Sequence, residues 1–358
     1  MNDVILIGPM AHPMLREALG LGEGQGFSLP GRLVGGRWAG VRAGEWPVLV
    51  AGEGQTPALR VQPTPALARH AAVLGLPSLT IDGQVVFGAR RSEGPYSLHV
   101  REWPGDWHAE LAAAIARHVI AQPPDRSPER IAARLPTIAG WCDSRLRGAQ
   151  RPAGHEGEPP VRHLAVSEPY AAYFAVEEHR FQHRLHDGGW AAPVDRGVFV
   201  SGDAAVVLPW DPVRDRVLVV QQFRAGPAAR HDPDPFVLEP VAGRIDAGET
   251  PEETMLREAV EEAGVTIDRL IPALHHYPTP GIAAEFIYCY VGIADLPDGC
   301  AGIGGLPEEG EDIRGILMDR AELTRLALSG GIVNGPLLIL ALWLDRCAAG
   351  LKAGGPGT

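Results

Sequence analysis

Residues 243–265 read GRIDAGETPEETMLREAVEEAGV, a stretch that sets a helix, both of its ends and the chemistry of one face. Thr250 stands before Pro251, a favoured first helical residue, and Glu253 completes a Thr-x-x-Glu capping box, so a helix is predicted over 250–263. Gly264 is placed to end it. On that helix Glu258 and Glu262 are four apart and Glu261 is three from Glu258, which gathers three carboxylates on one narrow face. Unpaired, they repel. A hard divalent cation relieves this, and Mg²⁺ takes a few carboxylates while sharing the phosphate oxygens of its substrate. Arg257 and Glu249 suit a different role, an ion pair that ties the preceding loop to the helix and aims the carboxylates. Taken alone, an acidic run also describes a solvated helix face.

At 358 residues the chain exceeds one average domain and suggests two, each large enough for its own core. The formal charge of −12, with no basic stretch of five or more residues, argues against a nucleic-acid partner. An acidic chain acting on an anionic substrate must therefore recruit metal and local arginines. No apolar run reaches membrane-spanning length and the N-terminus carries no basic, apolar, small-residue leader, so no membrane partner is expected. Cys142, Cys289, Cys300 and Cys347 are scattered without a CxxC pair. Free thiols in a reduced cytoplasmic setting are expected, and a structural zinc site is not.

Short apolar runs such as Val4-Ile-Leu-Ile-Gly8 and Trp46-Pro-Val-Leu-Val50, separated by Gly and Pro, predict a small strand-rich α+β domain over 1–105. WHAELAAAIARHVIA at 107–121 repeats apolar residues at helical spacing, and a second helical stretch runs from 128 to about 135. Between 140 and 160 Arg, Gly, Pro and Glu displace that periodicity, so 106–160 is expected to be a helical connector ending in a linker at 147–160. The second domain spans 161–350, with strands predicted at 172–184, 197–209, 216–223, 236–241, 284–293 and 313–318. Its further helices fall at 320–329 and 335–349, the latter apolar around most of its surface and so buried. Mixed strands with helices on their faces give a layered sandwich.

The 243–265 stretch resembles the Nudix box without a gap. That resemblance implies hydrolysis of a diphosphate linked to another group, assisted by Mg²⁺ with Mn²⁺ as a substitute. Because the flanking Gly and Arg positions also match, the metal reading is preferred over a solvated face. Glu239-Pro-Val-Ala-Gly-Arg-Ile-Asp246, Gln221-Gln-Phe-Arg224 and Tyr277-Pro-Thr-Pro-Gly281 resemble the ADP-ribose pyrophosphatase subfamily. Pro280 lies sixteen residues beyond Gly264, where that subfamily carries its marker proline. Asp211-Pro-Val-Arg-Asp215, residues 302–314 and the closing helix with Trp343 extend the resemblance over nearly all of the second domain.

It implies an α+β chain with a Nudix α/β/α sandwich and mixed sheet, acting on a nucleoside diphosphate sugar. By the same resemblance Glu258, Glu262 and the Ala242 carbonyl hold the metals, with Glu261 and Arg257 in the catalytic set. The pattern Glu309-Gly-Glu311-Asp312-Ile313 places Glu309 as general base and Glu311 as a substrate-dependent ligand on a loop that closes over substrate, although LPEEGED also suits an acidic surface turn. Arg224 and Arg196 match arginines near the diphosphate, where a guanidinium suits paired oxygens, or else form structural ion pairs. Glu285 matches a carboxylate near the terminal ribose, with Pro280 and Gly281 on the same substrate loop. Tyr170, Tyr173 and Phe174 suit either adenine stacking or the core.

Residues 1–105 resemble a gamma-glutamylcyclotransferase-like domain, as in tellurite-resistance-associated Nudix proteins. Ile7-Gly8-Pro9-Met10 replaces the usual Tyr-Gly-x-Leu; the equivalent of that family's acid/base stretch falls at Leu67–Pro77, and no Glu occurs between Glu53 and Glu93, so a non-catalytic domain is expected. The reading of the whole is Mg²⁺-dependent conversion of ADP-ribose to AMP and ribose 5-phosphate by a homodimer. GDP-mannose, ADP-glucose or another nucleotide sugar is the alternative substrate, and a sensor that holds ADP-ribose without cleaving it is the alternative class.

Overall fold

Four consecutive apolar residues, Val4 to Ile7, are buried on both faces and form the strand around which the first part of the chain is built. The computed structural model describes residues 3–92, 101–104, 106–152, 154, 157–306 and 310–353. Its two units are Met1–Glu156 and Gly157–Thr358.

In the first unit the elements are β1 (Val4–Ile7), α1 (Pro13–Ala18), β2 (Gln25–Val34), β3 (Val48–Val61), α2 (Pro65–Leu74), β4 (Ser78–Ile81), β5 (Gln84–Phe87), β6 (Arg90–Arg91), α3 (Ala109–Ala121), α4 (Pro128–Ala132) and α5 (Leu135–Ala149). The sheet runs β2-β3-β1-β5-β4 with β6 beside β3, and β1 is antiparallel to β3 but parallel to β5. Helix α3 packs on α1, α2 and α5, so the segment expected as a connector is part of this unit. Helicity also persists to Ala149, past the point where sequence periodicity fades. Leu135, Ile138, Ala139, Trp141 and Cys142 bury one side of α5, and Arg147 pairs with Asp143 at 2.7 Å along its polar tail.

Helix α2 takes in most of residues 67–77, the stretch expected as the counterpart of the cyclotransferase acid/base. Its Thr64 cap accepts from the Leu67 N–H at 3.1 Å, and Arg69 donates to the carbonyls of Val119, Gln122, Pro123 and Arg126. The buried polar side chain here is His70, with no accessible surface and no hydrogen-bond partner for either ring nitrogen. Burial pushes its pKa down to about 4.

The second unit comprises β7 (Val161–Ala171), β8 (Ala175–His183), β9 (Val194–Val200), β10 (Ala204–Asp211), β11 (Arg216–Phe223), α6 (Ala225–Ala229), β12 (Phe236–Glu239), β13 (Val241–Arg244), α7 (Pro251–Ala263), β14 (Arg269–Pro272), β15 (Ile287–Ile293), β16 (Ile303–Gly304), β17 (Ile313–Asp319), α8 (Arg320–Ser329) and α9 (Gly335–Lys352). Strands β7-β8-β9 form an antiparallel meander. The larger sheet runs β14-β15-β10-β11-β17-β16, and the parallel β10–β15 pair makes it mixed.

Strands β10 and β11 pair only at Trp210–Val217 and Asp211–Arg216 and then part. In the gap β13 takes over the edge of β10 and β12 that of β11. Both sheet faces are covered. Ala205, Val207, Leu218 and Val220 pack with Met255 and Ala259 of α7, while Val206, Leu208, Val217 and Val219 pack with Leu323 of α8 and Leu337, Leu340 and Leu344 of α9. Successive residues thus serve opposite layers of an α/β/α sandwich, which is why these strands read as unbroken apolar runs.

The strand expected over 197–209 is two, broken at Ser201-Gly202-Asp203. Gly202 sits at φ 85, where a Cβ is disfavoured, and the buried Asp203 carboxylate accepts from the Phe286 N–H at 3.3 Å. The break lets β9 join one sheet and β10 the other. Strand β7 was hidden because both its faces are largely exposed, which removes the in–out alternation that marks a strand.

His70→Leu is expected to leave the protein at least as stable as the parent at pH 8, since two unsatisfied nitrogens are removed. As pH falls from about 6.5 to about 4, the unfolded chain binds a proton that the buried ring refuses, so the parent loses stability that the variant keeps. Thermal melts of both proteins across that range check the growing difference.

Candidate active site

Helix α7 begins with the reciprocal cap its sequence predicts: the Glu253 N–H donates to Thr250 Oγ1 at 3.1 Å and the Thr250 N–H donates to Glu253 Oε2 at 2.9 Å. It ends at Gly264 with φ 63. Arg257 is the hub of its polar face. The guanidinium donates to Glu249 at 3.2 and 3.4 Å, to Glu258 Oε1 at 2.8 Å and to Glu261 Oε2 at 3.0 Å. Thr254 Oγ1 donates to the same Glu249 at 3.0 Å, so the loop before the helix is tied down twice.

Glu262 points under the sheet edge and is only 3% exposed, accepting from the Ala242 N–H at 3.0 Å. Burial pushes its pKa up to about 8; the Ala242 N–H and the Arg224 charge oppose the shift, and Glu258 and Glu311 add to it. Glu258 is pushed up to about 7, again by burial first, with Arg257 opposing and Glu261 and Glu311 adding. Gly243 makes room for it: a Cβ there would lie 2.0 Å from Glu258 Oε1. The opening glycine of the stretch is thus a cradle for the carboxylate fifteen residues on.

The acidic loop is fastened to the far end of the same helix. A Cβ on Gly304 would come within 2.0 Å of the Glu262 carbonyl oxygen, and the Gly305 N–H donates to the Glu261 carbonyl at 3.3 Å. Glu311 then turns back and accepts from the Leu306 N–H at 3.1 Å. Glu309 lies outside the described residues.

This donor set suits a hard divalent cation. Buried Glu262 feels the charge of half-buried Glu258, Glu311 bears on both, and their oxygens suit Mg²⁺ better than any soft ion. Among the described residues no three acidic, His or Cys side chains already converge into a cage. Backbone, water and substrate oxygens would complete the shell.

Arg224 lies beside this cluster, but one edge of it is committed. It donates to Glu239 Oε2 at 2.8 Å through Nε and pairs with it at 2.6 Å through Nη2, while Asn334 holds the other Glu239 oxygen at 3.1 Å. Burial works against the Arg224 charge, and Glu239, Glu262 and Glu311 together outweigh it. Arg196 is on β9, where it donates to the Asp195 carbonyl at 2.8 Å and lines an open groove of about 550 Å³ with His179, Arg180 and Ser167. Pro280 and Gly281 are exposed on the loop before β15, which is stitched to β9 by Phe199 N–H to Ile282 O at 2.8 Å and Ala284 N–H to Phe199 O at 2.9 Å. That loop delivers Glu285 beside Ser201, whose Oγ donates to it at 3.4 Å.

The structure therefore gathers Glu258, Glu261, Glu262, Arg257, Ala242, Glu311 and Arg224 at one place, and sets Glu285 with Pro280 and Gly281 at the break between β9 and β10. Sequence reasoning passed over Arg244 and Asn334. Asn334 also caps α9, accepting from the Leu337 N–H at 2.8 Å, and an Asn before Gly-Pro at a helix start was the signal for that.

The sequence profile of the NUDIX domain matches residues 200–331. The ADP-ribose pyrophosphatase of Escherichia coli (strain K12) is 37% identical over 196 residues, covering 55% of this chain and 93% of the relative. The ADP-ribose pyrophosphatase of Haemophilus influenzae is 34% identical over 201 residues, covering 55% and 92%. The GDP-mannose pyrophosphatase of Enterobacter sp. (strain 638) is 29% identical over 150 residues, covering 42% and 77%.

Two outcomes are expected at this site. Gly243→Ala overlaps Glu258 from Oε1 back to Cγ, so it swings Glu258 away from Arg257 and raises the Mg²⁺ concentration needed for half-maximal effect by about 10-fold or more. Because Glu258 and Glu262 must lose protons held up to about 7 and 8, apparent Mg²⁺ affinity climbs with pH up to about 8 and then levels. In metal-free protein these raised values cost stability as pH rises from about 4.5 to about 8, and Glu262→Gln flattens that slope. Titration calorimetry and melts with and without Mg²⁺ check both.

Proposed function

The chain belongs to the Nudix hydrolases, and on that premise we propose that it hydrolyses ADP-ribose to AMP and ribose 5-phosphate with Mg²⁺, Mn²⁺ substituting. The observation that carries the substrate is the 37% identity to an ADP-ribose pyrophosphatase over 93% of that relative's length. The site is consistent with it, since half-buried Glu258 and buried Glu262 beside Ala242 and Gly243 of β13 answer to a cation-bridged diphosphate. GDP-mannose is the second reading, supported by the 29% identity to a GDP-mannose pyrophosphatase; ADP-glucose has no relative among those compared above. A sensor without turnover fits less well, because Glu249, Arg257, Glu258, Glu261 and Glu262 are all present and interlocked.

In the mechanism we propose, Glu258, Glu262, the Ala242 carbonyl and, with substrate bound, Glu311 would hold the metal. Bound there, the ion supplies charge neutralisation for the diphosphate and acidifies water. Arg257 keeps Glu258 and Glu261 aimed through its fork, and its tie to Glu249 fixes the helix against the preceding loop. Arg224, backed by Glu239, presents the rest of its guanidinium to the diphosphate. Glu309 accepts the proton of the attacking water; the new P–O bond forms as the anhydride P–O bond breaks, and the two phosphates separate as AMP and sugar phosphate.

We further assign a homodimer, supported by β7, an edge strand exposed on nearly all of its length and bearing Leu164, Val166 and Tyr170. The first unit we read as non-catalytic, since α2 carries no Asp or Glu. Cys142, Cys289, Cys300 and Cys347 are unbridged, which suits a cytoplasmic setting, and among the described residues no helix is long and apolar enough to cross a membrane.

A screen of nucleoside diphosphate sugars with Mg²⁺ tests the reading: ADP-ribose is expected to give the highest kcat/KM, with AMP and ribose 5-phosphate in equal amounts. A higher value for GDP-mannose replaces it, and binding without turnover establishes the sensor. Glu309→Gln is expected to lower kcat by about 10²-fold with KM changed little, and near-parental kcat removes Glu309 from the role.

A further inference from the structure

Arg244 is a charge the mechanism does not use. Along β13, Val241 and then Ile245 join the core beneath α7 and Gly243 opens under Glu258, so Ala242 and Arg244 face the other way. Arg244 thus sits back to back with the metal-binding carboxylates, one peptide away. Its Nη1 donates to the Ser201 carbonyl at 3.0 Å, and its guanidinium carbon stands 4.5 Å from the ring centroid of Tyr173, a side chain 69% exposed. Across from it is Glu285, half-buried, close enough for the Arg244 charge to oppose the upward pull of burial on its carboxyl.

These two opposite charges do not close on each other. Among the described residues neither Arg244 nor Glu285 makes an ion pair, whereas Arg224 and Arg257 are both locked onto carboxylates. Ser201 lies between them: its carbonyl accepts from Arg244 at 3.0 Å, its hydroxyl stands 3.4 Å from Glu285 and 3.3 Å from the Gly202 carbonyl, and Asp203 accepts from the Phe286 N–H next to Glu285. A fork of spare N–H donors and a carboxylate with spare lone pairs therefore flank Ser201. A hydroxyl both donates and accepts, so adjacent hydroxyls satisfy both groups at once. A phosphate would satisfy Arg244 but be repelled by Glu285, and a planar base on the open face of Tyr173 would leave the fork unused.

We propose that Arg244, acting with Glu285, is a specificity-determining residue that binds the vicinal hydroxyls of the sugar half of the substrate, the half released as sugar phosphate. This rests on the nucleotide-sugar reading above and adds a residue to it. The arginine sets which sugar is accepted, while the diphosphate is handled on the opposite side of β13.

Product inhibition of the full-length protein separates the two halves of the substrate. Arg244→Met is expected to raise KM for ADP-ribose about 10-fold with kcat within about threefold, and to raise the inhibition constant of ribose 5-phosphate about 10-fold while that of AMP stays put. Arg244→Lys, which keeps the charge but not the fork, falls between. Glu285→Gln gives the same selective loss and serves if Arg244→Met does not fold. A rise in the AMP constant equal to or above that of ribose 5-phosphate, or no change in either, overturns the assignment. If the parent cleaves GDP-mannose instead of ADP-ribose, the ADP-ribose reading fails alone, and mannose 1-phosphate and GMP take the places of the two inhibitors with the same expectation. A parent that cleaves no nucleoside diphosphate sugar overturns both.

Discussion

Buried Glu262 and half-buried Glu258 stand close together on α7, and the polar groups around that helix temper the charge this gathers in one place. Burial is the largest cause that raises both carboxyls, Glu258 to about 7 and Glu262 to about 8. Arg257 offsets part of it at Glu258, and the Ala242 N–H with the Arg224 charge does so at Glu262. The remainder is left uncompensated. A protein interior that holds acids in this state is poised for a cation whose charge exceeds anything a side chain can supply, and proton release on metal binding follows from the same arrangement.

The sheet provides the place for this. Were β10 and β11 paired along their whole length, the Glu239–Arg244 segment would have no edge to occupy and Gly243 could not lie beneath α7. Their parting after two residue pairs opens that edge on each strand, and β12 and β13 fill it with a turn whose backbone faces the helix. One strand then presents two chemistries: carboxylate and main chain on the α7 side, Arg244 with Ser201 and Tyr173 on the other. Separation of the reacting diphosphate from the recognition of its substituent comes from the two-residue period of a strand.

The site helix was legible because its signals are local. Capping box, Pro251, Gly264 and the spacing of carboxylates all act within one or two turns, and the reciprocal cap, the αL end and the Arg257–Glu249 pair are all found. Strand β11 likewise carries its own limits in Arg216 and Phe223. What escaped depends on contacts distant in sequence. The break at Ser201–Asp203 is decided by Phe286, the helicity of residues 140–149 by burial against α3, and the role of Arg244 by side chains about seventy residues before it and forty after it in the chain. Arg224 was read with both roles open, and its grip on Glu239 becomes visible only once β11 and β12 are paired.

The contact between Gly304 and the Glu262 carbonyl has a mechanical meaning. The last turn of α7 and the start of the acidic loop touch backbone to backbone, without a side chain between them to absorb displacement. Fraying of that turn therefore frees the loop, and ordering the loop holds the turn. The last turn of α7 and the backbone at Gly304 and Gly305 are therefore coupled, so their local stabilities share a single free energy rather than two.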